Sequence, residues 1–144
     1  MELKSRIRWG RVVVAAVLSE VMVVVLLLVI TTTYRFLIAP GRTAMAYQAL
    51  GELSGYYVAP AAAGLATFVS ALWVARKLTS DFTMNGSLVG VTAVLLTVGF
   101  LFGAKPEYRL MYFVSFAARI IGGYLGGVVA QRISRRRFTS LLPA

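Results

Sequence analysis

Apolar residues run along this chain in four long blocks, and most of the charged residues fall in the short segments between and beyond them. A helix needs roughly 20 predominantly apolar residues to cross the hydrocarbon layer, and segments 12–34, 54–75, 86–103 and 110–130 meet or approach that length. The pattern predicts an all-α fold, a polytopic membrane protein in which residues 1–144 form a single four-transmembrane-helix bundle. The first connection, 35–53, opens with Phe36, Leu37 and Ile38 before Pro40-Gly41 breaks the helix, and 43–50 resumes as helix along the interface or as an extension of the second span. The connections 76–85 and 104–109 fit antiparallel hairpins, with Asp81 and Asn85-Gly86 expected to supply turn and capping chemistry. The first span exceeds a signal-peptide core and lacks a small-residue cleavage site directly after it, so it reads as retained.

Composition sharpens this reading. Of the 144 residues 59% are hydrophobic and only 14% charged, whereas a water-soluble domain carries about a quarter charged residues. There is no His and no Cys. That removes disulfides, thiol nucleophiles, imidazole acid–base chemistry and the common ligands of zinc and haem. The expectation is a protein that is not an enzyme and holds no cofactor and no metal.

The formal net charge is +10, and its distribution orients the bundle, because cytoplasmic segments carry the excess of Lys and Arg. Lys4, Arg6, Arg8, Arg11, Arg76, Lys77, Arg132, Arg135, Arg136 and Arg137 fall on one side, and Arg35, Arg42, Lys105 and Arg109 on the other. Both termini are therefore expected in the cytoplasm, the membrane being read as the inner membrane of a bacterium. Trp9 and Trp73 lie near the basic side, while Tyr34, Tyr47, Tyr56, Tyr57, Tyr108 and Tyr112 gather toward the other, as interfacial aromatics do. Arg132, Arg135, Arg136 and Arg137 are expected to contact anionic lipid headgroups, each worth about 1 kcal/mol. Topology alone accounts for this short cluster, so no nucleic-acid partner is expected.

Lipid tails are as apolar as Leu, so membrane helices associate by close backbone approach and interhelical hydrogen bonds. Helix 4 carries Gly122/Gly126 and Gly123/Gly127, two overlapping G-x-x-x-G pairs. Helix 3 carries Gly86 and Gly90, and helix 2 a stripe of Gly51, Gly55, Ala59, Ala62, Ala66 and Ser70. These faces are expected to meet, either within one bundle or in a homo-oligomer or a contact with another membrane subunit. Helix 1 has no glycine within its span and is expected at the periphery. A shift of 55 residues aligns Tyr57 with Tyr112, Ala62 with Ala117 and Lys77 with Arg132, which makes helices 2 and 4 similar and parallel.

Glu20 and Arg119 stand inside apolar spans, where a charge costs at least ~2.5–3.5 kcal/mol and needs a partner or water. Their opposite signs suggest pairing: at about 1.5 Å per residue, Glu20 lies roughly 13 Å above Arg11 and Arg119 about 20 Å above Arg132, a mismatch on the order of 6 Å that a difference in helix tilt and a bend of Arg119 toward the cytoplasm bring within reach. Glu52, near the far end of helix 2, is the rival partner, and the lean of helical side chains toward their own N-terminus favours it. Arg119 also fits a lipid phosphate or another anion through its planar fork. Pro60 is expected to free a carbonyl in helix 2.

Positions 74–92, a basic pair closing one span and spaced glycines opening the next, followed by the Gly122–Gly127 face, resemble a group of small, uncharacterised four-helix bacterial membrane proteins. That resemblance implies architecture. The run Ala16-Val17-Leu18-Ser19-Glu20-Val21-Met22 is similar to helix 1 of the small multidrug resistance transporters, which implies a proton-exchanging role for Glu20; the chain departs from that family in its charge bias and in carrying Arg119. The functional expectation is a non-enzymatic membrane protein, a structural or accessory subunit or self-associating bundle packed through its glycines. The alternatives are a small proton-coupled carrier using Glu20 and a lipid-binding protein.

Overall fold

The computed structural model describes residues 7–75 and 80–139, with side chains described as far as Arg135. It consists of four long helices: α1 (Trp9–Thr33), α2 (Ala44–Ala75), α3 (Phe82–Gly103) and α4 (Arg109–Thr139). A π-helical turn, Tyr34–Ile38, prolongs α1, and a 3-10 turn, Pro106–Tyr108, leads into α4. All four are long and apolar enough to cross a membrane, and the protein is an all-α four-helix bundle.

Contacts near the helix ends give the topology. The Arg8 N–H donates to Asn85 Oδ1 at 3.2 Å, and the Thr83 hydroxyl meets Gln131 Oε1 at 3.4 Å. Val12, Ala75, Phe82 and Ala130 share one buried cluster. The start of α1, the end of α2, the start of α3 and the later part of α4 therefore lie together, and we name this the basic end for Arg8, Arg11, Arg132 and Arg135. At the distal end, the Tyr108 hydroxyl donates to Glu52 Oε2 at 3.2 Å. Trp9 and Trp73 stand half exposed at the basic end. Lys4, Arg6, Arg76 and Lys77, counted above toward the charge asymmetry, and the side chains of Arg136 and Arg137 lie outside the described residues.

Several boundaries differ from the sequence reading. Only residues 39–43 separate the π turn from α2, because Pro40 and Gly41, the latter at φ +79°, confine the break to one tight reversal. Tyr47 closes it: its hydroxyl donates to the Ala39 carbonyl at 2.8 Å and accepts the Arg42 N–H at 3.0 Å. Asn85 and Gly86, read as turn residues, lie inside α3. Asp81 precedes that helix with left-handed backbone, φ 55°, and its side chain makes no capping bond to the helix. Asn85 is fully buried, and its amide donates to the Asp81 carbonyl at 3.0 Å, so its polar side chain ties α3 to α1.

Lengths are unequal. The first helix with its π turn covers 30 residues and α2 covers 32, against 22 in α3. At about 1.5 Å per residue these are roughly 45, 48 and 33 Å, so α3 alone matches a hydrocarbon layer of about 30 Å. Because Glu52 is level with Tyr108, the α2 residues before it carry the α1–α2 reversal about 12 Å beyond the start of α4. Helix α1 buries the single stripe Val12, Ala15, Ala16, Ser19 and Val23 and leaves the rest of its surface open. α4 packs chiefly on α2 and α3, and α1 lies across the bundle from it, against the same two helices.

Candidate functional site

The two halves of the bundle are built differently. Toward the basic end, backbones touch. A methyl group added to Gly86 would stand 2.9 Å from Gly127 Cα, and one added to Gly123 would meet the Gly86 carbonyl and Gly90 Cα at 3.2 Å. A methyl group on Gly126 would stand 2.6 Å from the Phe68 carbonyl and 2.8 Å from Ala71 Cβ, one on Gly127 would stand 2.7 Å from the Phe82 carbonyl, and Gly122 lies against Gly64. The stripes of α3 and α4 thus meet within one chain. Gly64, which the small-residue stripe of helix 2 passed over, faces Ala118 and Gly122, and Phe68 and Ala71 continue the α2 contact to Gly126, while Ala62 and Ala66 of the stripe are buried with Val23 of α1. Increasing numbers on α2 meet increasing numbers on α4, so the two run parallel.

Toward the distal end the same residue type does nothing of the kind. Gly51, Gly55, Gly99 and Gly103 have no atom within 4 Å of where a Cβ would stand. Gly55, expected as a packing residue, lines a cavity instead: the spacing of a stripe does not say whether a neighbour is there to meet it. The cavity occupies about 490 Å³ and takes its walls from all four helices, with Leu27, Ala59, Pro60, Phe100 and Phe116 among its apolar lining. Pro60 has no N–H to offer the Tyr56 carbonyl one turn back.

The floor is ionic. Arg119 Nε donates to Glu20 Oε1 and Nη2 to Oε2, both at 2.8 Å, and Nη1 donates to the Ser115 hydroxyl. Arg119 is 6% exposed, while the carboxylate side of the pair, at 21%, faces the cavity. This side-on fork is the strong form of a guanidinium–carboxylate contact. The α4 backbone is held here by Gly90, whose missing side chain lets α3 reach the Arg119 carbonyl.

The mismatch of depth expected from the sequence vanishes once the helix ends are known. Arg8 is level with Asn85, and Gln131 with Thr83, two residues or about 3 Å nearer the basic end. The stretches from Arg8 to Glu20 and from Gln131 to Arg119 are equally long, so Glu20 starts about 3 Å distal to Arg119. Each side chain leans toward its own N-terminus, Glu20 down and Arg119 up, and they meet.

Glu52 stays apart, exposed at the rim. It accepts from Tyr108 and, at 3.3 Å, from the Gln48 amide. Tyr56 lies 4.8 Å from Tyr57 in an edge-to-face pair and 5.6 Å from Tyr108, ring centroid to centroid. Glu52, Tyr56, Tyr57 and Tyr108 line a second hollow of about 290 Å³, and Glu52, Tyr56 and Tyr108 line the first as well. The rim tyrosines were legible in the sequence only as interfacial aromatics; nothing in their spacing gathered Tyr108 against Tyr56.

Four apolar spans around a half-open cavity define an integral membrane protein. Comparison with family models, curated proteins and solved structures gives no match.

Proposed function

We propose that this protein is a non-enzymatic integral membrane protein that binds an amphipathic molecule, a lipid of the surrounding bilayer, in its distal cavity. The observation that carries this reading is the contrast between a seam of touching backbones at one end and an apolar-walled hollow with a charged floor and a polar rim at the other. Acyl chains suit the walls, and the exposed groups at the mouth suit a headgroup.

The other readings find less support. The glycine faces that would join a partner subunit or a second copy are occupied by the chain's own helices. A proton-coupling carboxylate has to give up its charge in each cycle, and here that leaves the buried Arg119 guanidinium uncompensated, at a cost of several kcal/mol. The pair serves as the lock that sets the register of α1 against α4. The basic end, with exposed Arg8, Arg132 and Arg135, is read as cytoplasmic, in the inner membrane of a bacterium, in contact with anionic headgroups.

Filling the cavity tests the reading. Gly55 lines the hollow and has open space at its Cβ position, so Gly55→Phe is a means of filling it. Native mass spectrometry of protein released from mixed-lipid nanodiscs is expected to show a retained lipid on the wild type and its loss from Gly55→Phe. Equal retention by both, or none by either, overturns it.

A further inference from the structure

The rim of the cavity carries a carboxylate, the exposed Glu52, with no ion pair to a Lys or Arg among the described residues. Its two oxygens accept from Gln48 and Tyr108, which orient the group and leave its charge in place. Around it stand three rings. Tyr56 is tilted 59° to Tyr108 and 87° to Tyr57, so the aromatic faces are set at angles to one another instead of stacking on each other. The half-open hollow they line, about 290 Å³, has Ala49 and Leu53 as its apolar flank.

An unneutralised carboxylate among angled aromatic faces is the arrangement that attracts an alkylated ammonium ion, through the negative faces of the rings and the charge of the acid together. A small inorganic cation gains little from it, having no apolar surface to cover Ala49, Leu53 and the rings. An anion is repelled. One cation of the chain already uses this chemistry: Lys105 Nζ lies 5.9 Å from the centroid of Tyr108. Lys105 also lines the larger cavity, so a negative group attached to the ammonium would find a counter-charge beside the same ring.

We propose that Glu52, Tyr56, Tyr57 and Tyr108 form a receptor for an organic ammonium group, carried by a free solute or by the headgroup of an ethanolamine or choline lipid. For the lipid source this rests on the reading of the cavity as an amphiphile site; for the solute source it does not.

Calorimetric titration of the detergent-solubilised protein with tetramethylammonium chloride, against sodium chloride at equal ionic strength, examines the solute source. Native mass spectrometry from nanodiscs of phosphatidylethanolamine mixed with phosphatidylglycerol examines the lipid source. The expected result is saturable binding of tetramethylammonium, preferential retention of the ethanolamine lipid, or both, weakened about tenfold by Glu52→Gln and by Tyr56→Leu and retained by Tyr56→Phe, which keeps the ring. Circular dichroism verifies that each variant is folded. Absence of ammonium preference in both arms, or a preference indifferent to Glu52→Gln and Tyr56→Leu, overturns the proposal. Tetramethylammonium binding with no lipid retained sinks the cavity reading alone, whereas lipid retained without headgroup preference and without tetramethylammonium binding sinks the receptor alone.

Discussion

Arg119 holds both oxygens of Glu20 at 2.8 Å across the width of the bundle, from α4 to α1. Removing either partner leaves an uncompensated charge among apolar helices, and in buried pairs that costs about 3–5 kcal/mol. Glu20→Ala and Arg119→Ala are each expected to lower thermal stability in detergent sharply, and the double variant Glu20→Ala/Arg119→Ala by less than their sum. Additive losses in that cycle would show that the two do not act as a pair.

Glycines at the two ends predict opposite outcomes for the same kind of change. Gly123→Leu forces a side chain into the Gly86 carbonyl and the Gly90 backbone and is expected to cost about 1–3 kcal/mol or more, as overpacked cores do. Gly99→Leu, with open space at its Cβ, is expected to be neutral or slightly stabilising through better helix propensity, by up to about 1 kcal/mol. Thermal melts of the two variants side by side decide this; equal losses would mean the distal half is as closely packed as the basic half.

Asn85 is fully buried and bridges α1 and α3 through the Arg8 N–H and the Asp81 carbonyl. Asn85→Ala strips a partner from each and is expected to destabilise by about 1–3 kcal/mol. Hydrogen exchange gives a sharper readout, with protection lost at the start of α1 and α3 and kept at the distal end.

Sidedness is open to direct measurement because the chain has no cysteine of its own. Met45→Cys, at a position 81% exposed near the distal reversal, is expected to react with a membrane-impermeant maleimide in intact cells. Ser134→Cys, on the basic end of α4, is expected to react only after permeabilisation. The reverse pattern would invert the orientation drawn from the Lys and Arg distribution.

The four spans were legible because length and apolarity alone decide whether a segment crosses a bilayer. The partner of Arg119 stayed open between Glu20 and Glu52, because depth was counted from Arg11 and Arg132 as though they were level, and only the meetings of Arg8 with Asn85 and of Thr83 with Gln131 fix the offset between helices. Gly55 and Gly64 illustrate the same limit. A periodic stripe says which residues share a face, and it took the three-dimensional bundle to show that Gly64 has α4 against it and Gly55 has empty space. Asn85-Gly86 reads locally as a turn, yet burial against α1 and α4 draws both into the helix, a tertiary preference overriding a local one.

Where main chain rests on main chain, as at Gly86, Gly90, Gly123 and Gly127, there are no rotamers to exchange and no side chain to compress. Such a joint leaves little room for adjustment. On the proposed lipid-binding reading, accommodation of guests of different bulk then falls to the extremity where Gly55 and Gly103 have open space, while the joint keeps its shape.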